Sequence, residues 1–288
     1  MQTASRQFDL VVKVPPLNAD FEANPTQGTT PLTVTFTDKS TGAIIQWQWD
    51  FDNDGVVDSY DQNPQWTYNI PGWYTVKLTV SDGTDSKTCV KERYILVATN
   101  VYYVDAVNGN DSNSGTNWND AFRTIGKALS VAGDYDLVLV ADAVYNETNL
   151  SFNGQKIYLK GVDYHSGGLT QPIIHCQQAG RAFYCGAGET RDSVIDNFTV
   201  KNGKVEDTSG GAILCENNSS PTITNCIFQD NEAVDTNSSY DYEDGGAIHC
   251  YSSSPTITNC TFSGNSASDY GGAICCHESS SPTITNCT

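Results

Sequence analysis

The amino-acid sequence predicts an all-β protein with two domains, an antiparallel β-sandwich followed by a solenoid of short strands. Its 288 residues are enough to form two separate hydrophobic cores. Helix formers are scarce, with one Met and 15 Lys plus Arg, while Gly, Asn, Ser, Thr and Tyr are plentiful, which favours strands joined by polar turns. The first third alternates apolar and polar residues with a period of two, whereas the last third repeats one phrase three times.

The formal net charge of −19 excludes some classes of partner. A phosphate backbone or an anionic membrane surface would repel most of the molecule, so we expect no nucleic-acid partner. No apolar run approaches the roughly 18 residues of a membrane-spanning helix, and no transmembrane segment is predicted. Residues 1–15 lack the features of a signal peptide and are assigned to an N-terminal segment or linker. Because the third repeat stops in mid-phrase, we expect the sequence to be part of a longer chain.

Residues 16–98 contain the segments that predict the β-sandwich. These segments alternate apolar and polar residues and are separated by Pro, Gly and Asp/Asn turns. At least one of the two tryptophans in QWQWDF is expected to anchor the core. In the segment WYTVKLTV, the apolar residues expected on the core side are Tyr74, Val76, Leu78 and Val80.

Four motifs in this domain resemble those of the PKD domain, an immunoglobulin-like β-sandwich. They are WDFDNDG (residues 49–55), where the family has W-D-F-G-D-G, then NP (63–64), TY (67–68) and YTVKLTVSDG (74–83). The resemblance covers the whole domain. It implies an extracellular spacer or interaction module that occurs beside catalytic or adhesive domains and is not itself a catalyst.

The stretch DFDNDGVVDSYD in the same domain predicts a calcium site. Its carboxylates occupy loop positions one, three, five, nine and twelve, with glycine at position six, which is the ligand spacing of a calcium-binding loop. Alternate carboxylates in a tightly turned loop can converge on one hard cation. The alternative is a β-hairpin whose turn is simply DNDG, with no metal. The predicted ligands are Asp50, Asp52, Asp54, Asp58 and Asp61.

Internal repeats predict the architecture of residues 101–288. Copies of one unit begin with GGAI at Gly210, Gly245 and Gly271 and continue into SPTITNC. Their starts are 35 and 26 residues apart, because DTNSSYDYED is inserted after the first copy. A unit of this length that tolerates an insertion is typical of one turn of a solenoid with a loop pushed outward.

The repeated phrase TITNCIF predicts a bend at its asparagine. Ile223, Cys226 and Phe228 are the apolar positions that recur, and a straight strand cannot place the first two on one face. A bend at Asn225 brings all three inside, since asparagine tolerates the left-handed conformation that the bend requires. The asparagine amides of successive turns are then expected to bond along one column: Asn197, Asn225, Asn259 and Asn286.

The cysteines of the repeats predict two further inward columns. Small buried hydrophobic residues are the favoured role for these thiols, although the strand spacing of about 4.8 Å would also permit an adjacent pair to oxidise. Cys275 is predicted to face outward as an exposed thiol. A zinc site is not expected, because no C-x-x-C pair has a partner and the four histidines show no ligand spacing. The columns are Cys215, Cys250 and Cys276, and Cys226, Cys260 and Cys287.

These columns, together with the GGAI strands, resemble the right-handed parallel β-helix of pectin-lyase-like proteins. The stretch that begins YYVDAVNGNDSNSG resembles more narrowly the N-terminal part of repetitive bacterial surface proteins with this fold. The resemblance implies that AFRTIGKALSVA is a short helix covering the first turn, with Asn119 or Asp120 as its N-cap. The residues expected on its inner side are Phe122, Ile125, Ala128 and Leu129.

Polysaccharide lyases and hydrolases of this fold carry clustered Asp with Arg, Lys or His on one outward face. The outward positions of the clear repeats are mostly threonines, which are poor acids and bases. The candidates on an earlier turn are residues that more often form surface ion pairs: Arg181, Arg191, Asp192 and Asp196. The sequence therefore favours a binding protein over an enzyme.

Three functions remain open after this reasoning. The leading hypothesis is a secreted or cell-surface protein in which the PKD module is a spacer and the β-helix is used for adhesion or for binding a polysaccharide or cell-surface glycan. The second is a polysaccharide lyase or glycoside hydrolase with its active residues in loops 161–171 or 231–244, or beyond residue 288. The third is a purely structural surface array. The loop residues to suspect for catalysis are Tyr240, Asp241, Tyr242, Glu243 and Asp244.

Overall fold

A computed structural model of the protein describes residues 14–165, 171–236 and 244–288. The chain divides into two compact units, Met1–Val97 and Ala98–Thr288. Within the described ranges, no helix is long and apolar enough to cross a membrane.

The first unit is an antiparallel β-sandwich, as predicted. One sheet has the strand order β1-β3-β5 and the other the order β2-β7-β6-β4. The strands are β1 (Phe21–Asn24), β2 (Gln27–Thr29), β3 (Leu32–Asp38), β4 (Gln46–Asp50), β5 (Gln65–Tyr68), β6 (Gly72–Ser81) and β7 (Ser86–Ala98).

Trp49 anchors the core of this sandwich. Its side chain is fully buried, and its ring lies edge-on to that of Phe21 with the centroids 5.2 Å apart. Three of the four predicted core residues of β6 are fully buried, but Tyr74 is only half-buried. Tyr74 still packs against this core, next to a shift in the β6–β7 register between Tyr74 and Val76 that adds residues on β7.

The second unit is built almost entirely from short parallel strands. Within the described residues of this unit, the one α-helix is α1 (Ile125–Val131). The strands that enter and begin the coil are β8 (Val101–Val104), β9 (Leu137–Ala141), β10 (Val144–Tyr145), β11 (Tyr158–Val162) and β12 (Ile173–His175). The repeated turns follow as β13 (Phe183–Cys185), β14 (Val194–Asp196), β15 (Thr199–Lys201), β16 (Lys204–Glu206), β17 (Ile213–Cys215), β18 (Thr222–Thr224), β19 (Ile227–Gln229), β20 (Glu232–Val234), β21 (Ile248–Tyr251), β22 (Thr256–Thr258), β23 (Thr261–Ser263), β24 (Ser266–Ala267), β25 (Ile274–His277) and β26 (Thr283–Thr285).

Successive turns of the second unit stack in register. Each full turn places one strand in each of four parallel sheets, ordered β26-β22-β18-β14-β11-β9-β8, β10-β12-β15-β19-β23, β13-β17-β21-β25 and β16-β20-β24. Ile213 pairs with Ile248, and Ile248 pairs with Ile274, so equivalent residues of the repeats lie directly above one another. The predicted parallel solenoid is confirmed.

The bend in the repeated phrase also has the predicted geometry. Asn225 has a φ of 54°, in the left-handed region. Ile223, Cys226 and Phe228 are each no more than 1% exposed, so all three point inward. The Phe228 ring stacks on that of Phe262 in the next turn, with centroids 5.1 Å apart. Inside the coil, equivalent residues of the repeated turns therefore stack on one another.

The asparagine column is confirmed for its last three members and wrong for its first. The amide of Asn286 donates to Asn259 at 3.3 Å, and that of Asn259 donates to Asn225 at 3.2 Å. The Asn225 amide donates instead to the carboxylate of Asp196 at 2.7 Å, and the Asn197 amide bonds a backbone carbonyl of an earlier turn. A carboxylate is the stronger acceptor, and later turns have threonine at its position.

Two variants of Asn259 separate the contribution of its amide hydrogen bonds to stability from that of its left-handed backbone conformation. Asn259→Ala loses the amide bonds and strains a residue at φ 55°, so we expect it to lower the free energy of unfolding by about 2–3 kcal/mol. Asn259→Gly keeps the positive φ without strain and should cost about 1 kcal/mol. Chemical denaturation of the full chain measures both changes. Equal losses in the two variants would show that the backbone conformation contributes nothing.

The helix at the first turn is present, but its predicted N-cap is wrong. The helix begins at Ile125, and Thr124 is the N-cap, accepting from the N–H of Lys127 at 3.2 Å. Asn117 instead caps the short 3-10 helix Trp118–Asp120. The intervening chain is extended because Phe122 bridges to Val104 of β8. The four predicted inner residues are buried as expected: Phe122, Ile125, Ala128 and Leu129.

All ten cysteines lie in the described ranges, and all are free. The first predicted column is confirmed in register and is buried at Cys215 and Cys250, and it extends one turn further, because Cys185 pairs with Cys215. Cys276 is exposed, since its turn is covered by a neighbouring turn on one side only. Cys275, predicted to be an exposed thiol, is half-buried.

Candidate functional site

The predicted calcium loop is the connection that follows β4. Its ends are held together by Trp49 and Ser59, which form an isolated antiparallel bridge. The N–H of Asp58 donates to the carbonyl of Trp49 at 2.7 Å, and the N–H of Phe51 donates to the Asp58 carboxylate at 2.7 Å. The loop between these contacts is therefore a closed hairpin connection that places its carboxylates near one another.

Three of the five predicted ligands converge in this loop. One oxygen from each of Asp50, Asp52 and Asp58 lies within 4.8 Å of the others. Asp50 is 3% exposed, and the N–H groups of Asp54 and Gly55 donate to its two oxygens at 3.2 and 3.1 Å. Gly55 has a φ of 92°, the left-handed conformation that permits this tight approach. Carboxylate oxygens so arranged are the donor set that a calcium ion prefers.

The other two predicted ligands lie outside this group of three. The Asp54 carboxylate accepts from the N–H of Val56 at 2.7 Å and so caps the turn. Asp61 uses its main-chain carbonyl, which accepts the indole N–H of Trp49 at 2.8 Å. Positions five and twelve of the loop therefore support the backbone here, because the hairpin closes at Ser59 before the full twelve residues are used.

Lys77 lies on β6 beside this loop and is not among the predicted ligands. It pairs directly with Asp50 across β4 and β6, and its Nζ lies 3.5 Å from Asp50 Oδ2. The alternation of WYTVKLTV predicts that this lysine lies on the outer face of the strand. Its meaning depended on the β4–β6 register, which the sequence does not specify.

An aromatic cluster lies in the second unit beside the loop 161–171. The rings of Trp118 and Tyr164 stack with centroids 4.0 Å apart, and Tyr103 meets Trp118 edge-on at 4.8 Å. Tyr164 is 41% exposed. The Asp142 carboxylate accepts the N–H groups of Tyr164 and His165, both at 2.7 Å, which fixes this part of the loop. The cluster is missed in the sequence because its three rings come from separate segments.

Comparison with known families gives the same two-part organisation. Residues 13–97 match the profile of the PKD domain, and residues 146–288 match that of the right-handed β-helix region. The chain is a PKD domain followed by a right-handed β-helix. Among curated proteins, none is significantly similar to it.

Several solved structures are similar to parts of the chain. The PKD1 domain of the Vibrio cholerae metalloprotease PrtV is 33% identical, with 28% of this chain and 95% of that one covered and a TM-score of 0.23. The PKD1 domain of Vibrio anguillarum Epp is 29% identical, with coverages of 30% and 99% and a TM-score of 0.24. A rhamnogalacturonan lyase is 17% identical, with coverages of 65% and 56% and a TM-score of 0.32.

The carboxylates of the PKD loop repel one another. Burial, together with the charges of Asp54, Asp58 and Asp50, raises the pKa of Asp52 above its ordinary value. A carboxyl with a raised folded-state pKa favours the folded state when protonated, and this contribution is lost as the pH rises through that pKa. The ionised form of Asp52 therefore favours the folded PKD domain less than the protonated form does, and a bound cation would offset this difference.

The four candidate catalytic residues of the β-helix do not form one site. Arg181 is buried and donates to a threonine hydroxyl of the next turn at 3.4 Å, whereas Asp196 accepts the amide of Asn225. Arg191 is exposed and lies with Asp192 in the turn before β14. No pair among them has the arrangement of an acid and a base on one face within the described residues.

Carboxyls with a raised pKa are the usual general acids of glycoside hydrolysis. Among the described carboxyls, burial raises the pKa of Glu147 as well as that of Asp52. Both oxygens of Glu147 accept N–H groups at the start of α1, from Ile125 and Gly126 at 2.8 Å each. Glu147 therefore stabilises the covering helix, and its position does not suggest catalysis.

The loop 231–244, which the sequence analysis singled out, lies only partly in the described ranges. Tyr240, Asp241, Tyr242 and Glu243 fall outside them. Asp244 is described and is fully buried.

Proposed function

We propose that this chain is an extracellular carbohydrate-binding protein of the adhesion type, in which the PKD domain is a calcium-stabilised spacer and the β-helix presents the glycan-binding surface. The pairing of a PKD domain with a right-handed β-helix supports this combination. The observation that carries the proposal is the aromatic cluster of Tyr103, Trp118 and Tyr164.

Aromatic rings bind sugars because the apolar face of a pyranose stacks on them while their polar edges and those of nearby residues form hydrogen bonds. The Trp118–Tyr164 stack gives two such rings in fixed positions, and the partly exposed Tyr164 offers surface to a ligand. His165 and Asp105 lie beside it, with Nε2 and Oδ1 3.0 Å apart. The cluster therefore combines stacking surface with the partly exposed imidazole of His165, while the buried Asp105 holds that ring in place.

The charge of the protein indicates the class of glycan. With a formal net charge of −19, the surface repels polyuronates and sulfated chains unless a cation bridges them. We therefore infer that the ligand is a neutral glycan. The polysaccharide lyase alternative requires an anionic uronate as substrate, so charge also favours binding over lyase chemistry.

Calcium has a structural role in this proposal. The convergence of Asp50, Asp52 and Asp58 supports a cation in the PKD loop, and the raised pKa of Asp52 is consistent with it. Bound calcium would join the two ends of the loop and stiffen the domain as a spacer.

The experiment is a panel of neutral and uronic-acid oligosaccharides tested for binding to the full chain. We expect retention of neutral glycans, and Tyr164→Ala should weaken it about tenfold or more, which corresponds to about 1.4 kcal/mol. The matched control is Tyr251→Ala, since Tyr251 on β21 is exposed to a similar extent, 46% against 41%. The control should bind as the unchanged protein does.

Each alternative gives a distinct result in the same panel. Unsaturated products or new reducing ends would show an enzyme. No retention and no products would leave a structural array. Equal losses in Tyr164→Ala and Tyr251→Ala would contradict the assignment of the aromatic cluster as the binding surface.

A further inference from the structure

Four side chains with metal-binding atoms converge on the outer face of the sheet β13-β17-β21-β25. His249 pairs with Cys275 across β21 and β25, and His277 lies two residues further along β25. Asp244 immediately precedes Gly245, where this turn begins. One ligand atom from each of Asp244, His249 and Cys275 lies within 4.8 Å of the others. His277 Nε2 lies 2.8 Å from Asp244 Oδ2.

The burial of this cluster is unusual for groups of such polarity. Asp244 is fully buried and His249 is 6% exposed. Within the part of the chain that the structure describes, His249 Nδ1 has no hydrogen-bond partner, whereas Asp244 Oδ2 faces His277 Nε2 at 2.8 Å. The other oxygen of Asp244 accepts the N–H of Tyr270 at 2.9 Å, which orients the carboxylate. A buried polar atom without a partner is costly, so the unpartnered Nδ1 of His249, on a ring that lies beside Asp244 and Cys275, points to a ligand that these groups would share.

We propose that Asp244, His249, Cys275 and His277 bind a divalent transition-metal ion, with zinc as the preferred metal. This site is independent of the proposed glycan and calcium binding.

The donor set matches zinc better than calcium. It supplies one sulfur, two imidazole nitrogens and one carboxylate oxygen, a combination typical of four-coordinate zinc, whereas calcium takes oxygen ligands only. Zinc–ligand distances of about 2.0–2.3 Å place tetrahedral donors roughly 3–4 Å apart. The separations of up to 4.8 Å among Asp244, His249 and Cys275 need only a small contraction to reach this geometry. With Asp244 and Cys275 as anions, a doubly charged ion gives a site of zero net charge.

A cysteine, a histidine and an aspartate together could also suggest a nucleophilic triad. A catalytic cysteine needs a lowered thiol pKa. Here burial and the neighbouring Asp244 raise the pKa of Cys275 to about 11. Such a thiol is unreactive without a metal, and it ionises when it coordinates one, releasing its proton to solvent. The chemistry of the cluster thus favours a metal site over a nucleophile.

The location indicates what the metal would do. His249 belongs to one turn of the β-helix, Cys275 and His277 belong to the next, and Asp244 ends the connection that the insertion lengthens. A metal held by all four would clamp two turns and the end of the long connection together. The site is therefore a structural cross-link in a domain whose described thiols form no disulfide.

The test uses the untagged full chain after treatment with a chelator. Titration calorimetry with Zn²⁺ should show one tight site in addition to any weak carboxylate binding, and Zn²⁺ should raise the unfolding temperature. Titration with Co²⁺ should give the visible bands of a tetrahedral ion and a thiolate-to-cobalt charge-transfer band. Cys275→Ser should abolish the charge-transfer band, and His277→Gln should weaken Zn²⁺ binding at least tenfold.

The matched control is Cys276→Ser, because the two cysteines are adjacent on β25 and only Cys275 belongs to the cluster. This variant should keep the charge-transfer band. Circular dichroism of each metal-free variant shows that the fold is retained. The proposal is overturned if Zn²⁺ fails to bind the unchanged chain, or if the cobalt spectrum is the same in Cys275→Ser. It is also overturned if Zn²⁺ leaves the alkylation rate of Cys275 unchanged.

Discussion

Phe228→Ala is expected to lower the free energy of unfolding of the β-helix by about 3–5 kcal/mol. Phe228 is fully buried, stacks on Phe262 in the next turn and pairs in register with Val200 in the preceding turn. Removing its ring leaves a cavity between two turns, and neither can close on it without breaking the sheet hydrogen bonds on both sides. Urea denaturation of the full chain, followed by far-ultraviolet circular dichroism, measures the loss.

Ile227→Ala on the same strand is the matched control for this change. Ile227 is 36% exposed and points outward, so its truncation should cost less than 1 kcal/mol. The core of the PKD domain contains neither residue, so neither variant should change the stability of that domain. A loss of similar size in both variants would contradict the inward assignment of the repeated phrase.

Asp52→Asn is expected to abolish the stabilisation of the PKD domain by calcium. In the unchanged chain, calcium at about a hundred times its Kd should stabilise the folded domain by about 2.7 kcal/mol. When a chelator removes calcium, the variant should no longer be the less stable protein. Asp52→Asn should then unfold at the same temperature as the unchanged chain or at a higher one. The reason is that burial and the charges of Asp54, Asp58 and Asp50 raise the pKa of Asp52, and a neutral amide at this position removes the repulsion. Differential scanning calorimetry with and without calcium measures both effects.

Asp61→Asn is the control that separates the three-residue site from the five-residue prediction. Its carboxylate lies outside the group of Asp50, Asp52 and Asp58, so the variant should keep the full response to calcium. Asp50→Ala should lose the calcium response and also be less stable in chelator, because the N–H groups of Asp54 and Gly55 lose their acceptor. Retention of the calcium response in Asp52→Asn would contradict the proposed ligands.

The repeats made the fold of the second unit predictable to the level of single side chains. The spacing of Ile223, Cys226 and Phe228 required a bend, and only a residue that tolerates positive φ could supply it. One failure arose where one side chain replaced another in an otherwise regular column. Asp196 redirects the Asn225 amide, and no periodicity contains that information.

The metal cluster shows a different kind of limit. Spacing rules search for ligands that are close in sequence, but His249 and Cys275 meet because their turns stack in register. Aligned repeats place Leu214, His249 and Cys275 at one outward position, with donors in two consecutive turns, but two donors alone do not predict a metal site. Asp244 could not have been placed in this way, because its position depends on the path of the inserted connection.

The in-register stacking of almost identical turns creates an ambiguity during folding. The strand TIT of β22 pairs with β18 on one side and with β26 on the other, and both partners have the same sequence. A turn that paired with the second turn along the chain would contact the same inward residues as in the correct pairing. The inward residues therefore cannot distinguish the correct partner from the next one. The residues that differ between turns lie outside, and they include the cluster of Asp244, His249 and Cys275. These residues would identify each turn. The order in which the turns stack is therefore specified by side chains outside the core of the coil, while the core supplies only the tendency to stack.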